Sequence, residues 1–244
     1  MQTAAVTIRE IDDVEQMRAV EDLQKEVWGI PDLDVVPLTQ LVAAKEAGGT
    51  LIGAFDNQLL VGFVYGFPSF EFGKHAHHSH MLAVKNEYRN FDLGRRLKLA
   101  QREHVLAQGI ELITWTFDPL QSLNAHFNFN KLGVVADRYL PDFYGDEAAS
   151  FLHQTGTDRL WVSWLIATER VKRIIDGTAE PAQVDGISIE IPSDINSLQQ
   201  QEPNAALRWR EETRRAFMEA LKAGYVVVGF TREDRVGKYL LRKS

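Results

Sequence analysis

The stretch 84–108, VKNEYRNFDLGRRLKLAQREHVLAQ, joins an apolar run that stops abruptly to an amphipathic segment, and few folds accommodate such a junction. Met81, Leu82, Ala83 and Val84 close the apolar run, and a polar turn with Arg89, Asn90 and Asp92 follows. Leu93, Leu97, Ala100, His104 and Ala107 then recur at intervals of three and four, the periodicity of a helix. Strand, tight loop and helix in that order aim unpaired main-chain N–H groups and the positive end of a helix dipole at one point, which suits a phosphate. Arg89, Arg95, Arg96 and Lys98 add cationic side chains around it. The same arrangement also occurs as plain α/β scaffold, so the loop needs support from the rest of the chain.

Bulk properties narrow the field. The 244 residues suffice for one large domain, or for one domain with an appendage. Hydrophobic content of 45% and charged content of 25% are ordinary for a globular protein. Cysteine is absent, which excludes disulfides, thiolate metal sites and a cysteine acyl-enzyme. No apolar run approaches the roughly 20 residues that cross a bilayer. The segment MQTAAVTIREIDD lacks the basic-then-apolar pattern of a signal peptide, so a cytoplasmic protein with no membrane partner is expected. A formal net charge of −7 argues against a nucleic-acid partner and makes the basic cluster at 89–98 stand out.

Element by element, 6–8 reads as a first strand. Asp12, followed three residues later by Glu15, resembles a capping box for a helix with the stripe Val14, Met17, Val20, Leu23 and Val27. Gly29-Ile30-Pro31 breaks that helix, and a second covers 38–47. Strands at 50–55 and 59–67 flank the turn Asp56-Asn57-Gln58. The polar segment 71–77 reads as a loop before a strand at 78–84. Strand 111–117, a helix from Asp118 to Leu132 closed by Gly133, and strands 134–140 and 160–166 follow, the last two separated by the loop 141–158. Beyond 168, a strand at 187–191 and a short helix capped by Ser193-Asp194 precede a longer helix from Pro203, with Leu207, Arg210, Arg214, Phe217 and Leu221 on one side. A hairpin at 225–231 and 238–242 ends the chain.

The loop Arg89-Asn90-Phe91-Asp92-Leu93-Gly94, placed after Leu82-Ala83-Val84, resembles the acetyl-CoA loop of the GNAT N-acetyltransferase superfamily. Asp92 stands where that family usually has its first glycine; it either repels a pyrophosphate or turns outward and caps the helix. The order β-α-α-β-β-β-α-β-α-β-β over residues 4–168 agrees with the GNAT fold. The resemblance implies an α/β (α+β) protein with a mixed, mostly antiparallel central sheet flanked by helices, and a small C-terminal α/β subdomain. A GNAT-like acyl-CoA-binding domain is expected at 1–168 and an extension at 169–244, which is either a partial copy of the N-terminal half or an unrelated α/β addition packed on the first domain or on a second subunit, as in a homodimer.

The same resemblance implies acetyl-CoA, or another acyl-CoA, as co-substrate. Leu82, Ala83 and Val84 would contact it through the main chain, with Arg89, Asn90, Phe91, Asp92, Leu93, Gly94 and Arg95 at the diphosphate. Asn124 would replace the family's pantetheine-binding Asn, because Ser122 occupies that position. His78-x-His80-x-Leu82-Ala83-Val84 looks like the pattern of arylalkylamine N-acetyltransferases, and a strand's period of two puts 78, 80 and 82 on one face. Imidazoles titrate near neutrality and suit a proton relay. Crowded with His75 and His77, they also read as a solvated loop or an adventitious metal site, although no carboxylate stands at fitting spacing and no metal is expected. Phe129 holds the place of the family's thiolate-protonating Tyr, which leaves Tyr144, Tyr139 or water. Trp28, Phe67, Phe70, Phe72, Phe143 and Tyr144 are candidates for an apolar acceptor pocket. Three readings stand: an N-acyltransferase for a small amine or amino acid derivative, a non-catalytic acyl-CoA-binding module, and a metal enzyme.

Overall fold

The computed structural model describes residues 6–145, 155–179 and 185–244, with the side chain of Asn90 and residues 146–154 of the expected 141–158 loop outside the description. Its internal contacts divide into two compact units, Met1–Thr114 and Trp115–Ser244.

The first unit carries β1 (Thr7–Glu10), α1 (Val14–Trp28), α2 (Leu38–Glu46), β2 (Thr50–Asp56), β3 (Leu59–Glu71), β4 (Lys74–Val84), α3 (Leu93–Ala107) and the start of β5 (Leu112–Phe117). Successive pairs from β1 to β4 are antiparallel. β5 runs parallel to β4 and meets it at two positions, His77↔Ile113 and His78↔Thr114. At the start of α1 the Asp13 carboxylate accepts from the Gln16 amide at 2.7 Å, and Gly29 at φ 62° closes the helix. The N-cap is therefore Asp13, one residue later than Asp12-x-x-Glu15 suggests, and the Gln16 side chain accepts from Arg9 instead of closing a box. Met17, Val20 and Leu23 are buried. Val14, expected in the stripe, is 53% exposed, because the face that meets the sheet starts one turn further on.

The expected loop at 71–77 is strand instead. β3 continues to Glu71 and β4 begins at Lys74, joined by Phe72 (φ 51°) and Gly73 (φ 77°). Two successive positive φ angles make the tight turn that matches strand twist. The outer part of this ribbon is exposed at Phe70, Phe72, Lys74 and His75, so its sequence has no buried face to betray a strand.

The sheet separates two apolar clusters. Met17, Val20, Leu23, Leu41, Phe63, Tyr65 and Ala83 pack with α1 and α2, joined by Phe67 and Met81. Ile52, Ala54, Val61, Val64, Leu93 and Leu97 pack with α3, joined by Leu82 and Val84.

The second unit contains α4 (Ser122–His126), a π-helical continuation (Phe127–Leu132), β6 (Val135–Leu140), β7 (Arg159–Leu165), α5 (Glu169–Ile175), β8 (Ile187–Pro192), α6 (Ile195–Gln201), α7 (Pro203–Lys222), β9 (Tyr225–Arg232) and β10 (Val236–Lys243). β6 pairs antiparallel with β7 and, on its other edge, with β9 at Ala136↔Val227. Tyr239 centres the core, its ring 5.8 Å from Phe129, 5.0 Å from Phe217 and 4.8 Å from Phe230. On α7 the buried residues are Ala206, Arg210, Thr213, Phe217 and Ala220; Leu207, expected on that side, is 47% exposed.

Two expectations about the extension meet different facts. The contacts divide inside β5, and within the second unit β9 joins the edge of β6 and α7 packs over the same strands. In the tail β8 pairs with β10, whereas β1 pairs with β2, so the strand order of a partial copy of the N-terminal half is not present.

Candidate functional site

The site begins with a register slip. β3 and β4 pair in step from Gly62↔Val84 to Tyr65↔Met81, and then Gly66 faces Ser79. His80 is the extra residue of a bulge, a device that re-aims side chains. Because of it, His78, His80, Met81 and Ala83 lie toward α1 and α2, while His77, Ser79, Leu82 and Val84 lie toward α3. His78 and His80 do share a face, with ring centroids 6.3 Å apart. Leu82, expected beside them, is on the other face, since a strict period of two does not survive a bulge.

His78 is half-buried, its Nδ1 3.2 Å from Thr114 Oγ1 and its ring 5.5 Å from Phe67. His80 remains exposed as a residue, but its ring packs 6.0 Å from Tyr65 and 5.7 Å from Phe67. Desolvation there holds its pKa below the ordinary 6.5. His77 is fully buried at 3.0 Å from Thr50 Oγ1, and burial, with Lys98 beside it, pushes its pKa down to about 3. The four histidines at 75–80 thus do not converge: His78 and His80 share one face, and His77 lies on the other. Among the described residues no group of three or more His, Cys, Asp or Glu side chains could hold a metal.

Past His78, β4 has β3 on one edge and no paired strand on the other among the described residues. The Lys85 amide donates to Val61 O at 2.9 Å, so by strand alternation Ala83 also turns its N–H toward β3. The amides of Leu82 and Val84 point to the open edge. Of the three main-chain contacts expected, Leu82 and Val84 turn their N–H groups to the edge without a paired strand among the described residues, and Ala83 turns its own to β3.

A 3-10 stretch, Asn86–Phe91, leads to Asp92, which takes φ 55° and ψ 22°. That left-handed geometry explains a glycine preference at this position. Asp92 stands at the N-cap of α3 without a side-chain cap bond; its carboxylate lies outward, 3.5 Å from Arg95. The cap expected of an outward Asp92 is not made. The Arg96 amide reaches Asp92 O, so the amides of Leu93, Gly94 and Arg95 in the first turn have no helical acceptor. Arg89 and Phe91 are exposed beside them. Three of the four expected cations are engaged: Arg96 bonds Val6 O at 2.6 Å, Lys98 is buried beneath the sheet, and Arg95 lies 3.5 Å from the Asp92 carboxylate.

Sequence reading took Lys98 for a phosphate ligand and passed over its neighbours. Its Nζ donates to Ser79 Oγ at 2.7 Å and to Gln101 Oε1 at 3.4 Å. Gln101 Nε2 donates to Thr50 Oγ1 at 2.8 Å, which in turn meets His77. The only signal for this seam is spacing, since Lys98 and Gln101 sit three apart beside Leu97.

The remaining candidates lie in the second unit. Asn124 is exposed on α4, and Ser122 is buried with its Oγ unpartnered. Phe129 is 2% exposed and belongs to the Tyr239 core, so it fills volume. Tyr139 donates to Asp158 at 2.6 Å, and burial raises its pKa far above the usual phenol value, which removes it as a proton donor. Tyr144 is 47% exposed on a turn begun by Asp142 (φ 46°), with its amide on Thr157 Oγ1 at 3.1 Å and its ring 4.8 Å from Phe143. Among the acceptor-pocket candidates, Phe67 lines the histidine face, whereas Phe70 and Phe72 project at the β3–β4 turn, 67% and 71% exposed.

A family model described as Acetyltransferase (GNAT) family matches residues 12–134. A putative GNAT acetyltransferase from Desulfovibrio desulfuricans superposes with a TM-score of 0.54 at 16% identity, covering 67% of this chain and all of its own. The ribosomal-protein-S18-alanine N-acetyltransferase of Escherichia coli gives 0.54 at 12% identity, over 67% of this chain and 95% of its own. An aminoglycoside 6'-N-acetyltransferase complexed with coenzyme A gives 0.50 at 18%, over 67% and 98%. No curated protein matches the chain by sequence.

Proposed function

The chain belongs to the GNAT acetyltransferase family, and on that premise we propose that it transfers an acyl group, acetyl in the first instance, from its coenzyme A thioester to a small amine or amino acid derivative. The observation that carries this reading is the open edge of β4 next to the first turn of α3. The first-turn amides of Leu93, Gly94 and Arg95, with the exposed Arg89 guanidinium, fit a diphosphate; Arg95 joins them on leaving the Asp92 carboxylate, 3.5 Å away. Asn90 and Phe91 complete that loop through the backbone.

Transfer forms a C–N bond and breaks a C–S bond, so an amine proton must leave and the thiolate must gain one. The outward amides of Leu82 and Val84 polarise the thioester carbonyl. His80, kept deprotonated by its surroundings, accepts the amine proton, with His78 as its neighbour in the relay. By the family resemblance alone, Tyr144 is the proposed donor to the thiolate and Asn124 the proposed hold on the pantetheine arm. The reaction takes place in a cytoplasmic protein; no described helix is long and apolar enough to cross a membrane.

Calorimetry with acetyl-CoA followed by thiol release over an amine panel tests this. Binding with turnover is expected, and Arg89→Ala should weaken acetyl-CoA by about tenfold, the effect of one charge-assisted hydrogen bond. Because Phe129 is core, a second reading has a foothold: a module that binds acyl-CoA without transferring it. Binding with no thiol released from any amine would favour that module.

A further inference from the structure

Lys98 is 2% exposed, which is rare for an ammonium side chain. Desolvation lowers its pKa well below 10.5. Burying such a group costs stability that a methionine of similar length would not. The seam around it is built rather than incidental. Gln101 is fully buried and Ser79 is 4% exposed. Gly66 leaves the room: a Cβ there would sit 2.4 Å from His77 Nε2 and 2.9 Å from Gln101 Nε2. Polar side chains from β2, β4 and α3 are thereby threaded across β3 at the point where it lacks a side chain.

The location of this seam matters. Ser79 is the residue between His78 and His80, at the bulge itself, and Lys98 is six residues beyond Asp92 on the helix whose first turn faces the diphosphate. We propose that Lys98 is a positioning residue for acyl transfer: its bond to Ser79 Oγ locks the cofactor helix α3 to the β4 bulge and so fixes the direction of His78 and His80. This role rests on the acyltransferase reading and goes beyond it, since no part of Lys98 touches substrate. Leu93 and Leu97 hold α3 against the sheet by apolar contact, which tolerates sliding. A short hydrogen bond to one residue of the bulge sets the register of helix against strand.

Three variants test the lock: Lys98→Met, Ser79→Ala and Ser79→Thr, which keeps the hydroxyl. Lys98→Met should fold, with a thermal midpoint lowered by no more than a few degrees because relief of the buried charge offsets the partners left unpaired, and bind acetyl-CoA within about twofold of the wild type. Its kcat should fall by roughly tenfold to a hundredfold, the scale of an ångström's misplacement. Ser79→Ala should reproduce the loss, and Ser79→Thr should recover most of it. Independently of turnover, 15N shifts of the His78 and His80 rings should move in Lys98→Met. If Lys98→Met does not fold, the Ser79 pair decides alone. Unchanged kcat and ring shifts in Lys98→Met or Ser79→Ala overturn the proposal, as does a kcat loss matched by an equal loss of acetyl-CoA affinity. A wild type that releases no thiol, with ring shifts still moving in the variant, overturns the acyltransferase reading and leaves the mechanical tie observed.

Discussion

His80 owes its lowered pKa to two aromatic neighbours. Tyr65 and Phe67 strip water from an imidazole whose residue is otherwise exposed, and the lost hydration disfavours the charged form. Because the pKa is lowered, the free base persists to a pH below 6.5 and is lost only as pH falls further. The acid limb of kcat/KM is therefore expected below pH 6.5, and His80→Gln should abolish or displace it; a pH–rate profile in which wild type and variant share one limb would remove His80 as the base. Asp92 shows what residue-level reading can miss. Its position in the loop was legible, and the direction of its carboxylate was not, for the backbone is left-handed there and the side chain makes no cap. One-letter identity carries no φ, and Asp reaches this region more often than most residues do.

At the scale of elements, β4 explains both what the sequence disclosed and what it concealed. An alternation of two correctly pairs His78 with His80, because both precede or occupy the bulge. It misplaces Leu82, because an extra residue inverts the phase and no side-chain pattern marks where a ladder slips. The hairpin at Phe72-Gly73 was hidden for a related reason: a ribbon exposed on both faces offers no apolar alternation. Lys98 was hidden by company, since a lysine near arginines reads as one more phosphate contact until the helix phase turns it under the sheet. Gly66 is the hinge of this arrangement. Gly66→Ala would drive a methyl to 2.7 Å from His78 O as well as into the His77 ring, so strand or seam must move. A loss of about 2 kcal/mol in urea-denaturation free energy is expected, as for other overpacked sites; a neutral outcome would show that the bulge is softer than its packing implies.

For the molecule as a whole, the C-terminal extension is structural in a specific way within its own unit. Arg214 on α7 reaches Asp158 with Nε at 2.8 Å and Nη2 at 2.5 Å, and Asp142 at 2.7 Å. Asp158 is fully buried and also receives the Tyr139 hydroxyl and the Asp142 amide. Burial acts to raise its pKa, but bonds from Arg214, Tyr139 and Asp142 prevail and hold it below 3.8. A depressed carboxylate pKa stabilises the fold above that value, and the gain disappears as pH falls through the folded pKa. Arg214→Ala should thus cost about 3 kcal/mol near neutrality, measured by chemical denaturation, and less in acid. A cost that does not shrink with acidity would assign the effect to lost packing. The sequence disclosed the elements of this extension and not their partnership, because Arg214 and Asp158 are 56 residues apart and only the fold brings them together.

The pairing of β9 with β6 has a further outcome. An unprotected sheet margin invites pairing with other chains. Here the margin is moved outward to β8, a six-residue strand that carries Glu190 and ends at Pro192. A chain trimmed after β7 would bare Ala136 and its neighbours along β6, and the shortened product would be prone to clump. Within this unit the tail covers the margin of β6 with β9 and leaves the short β8 outermost.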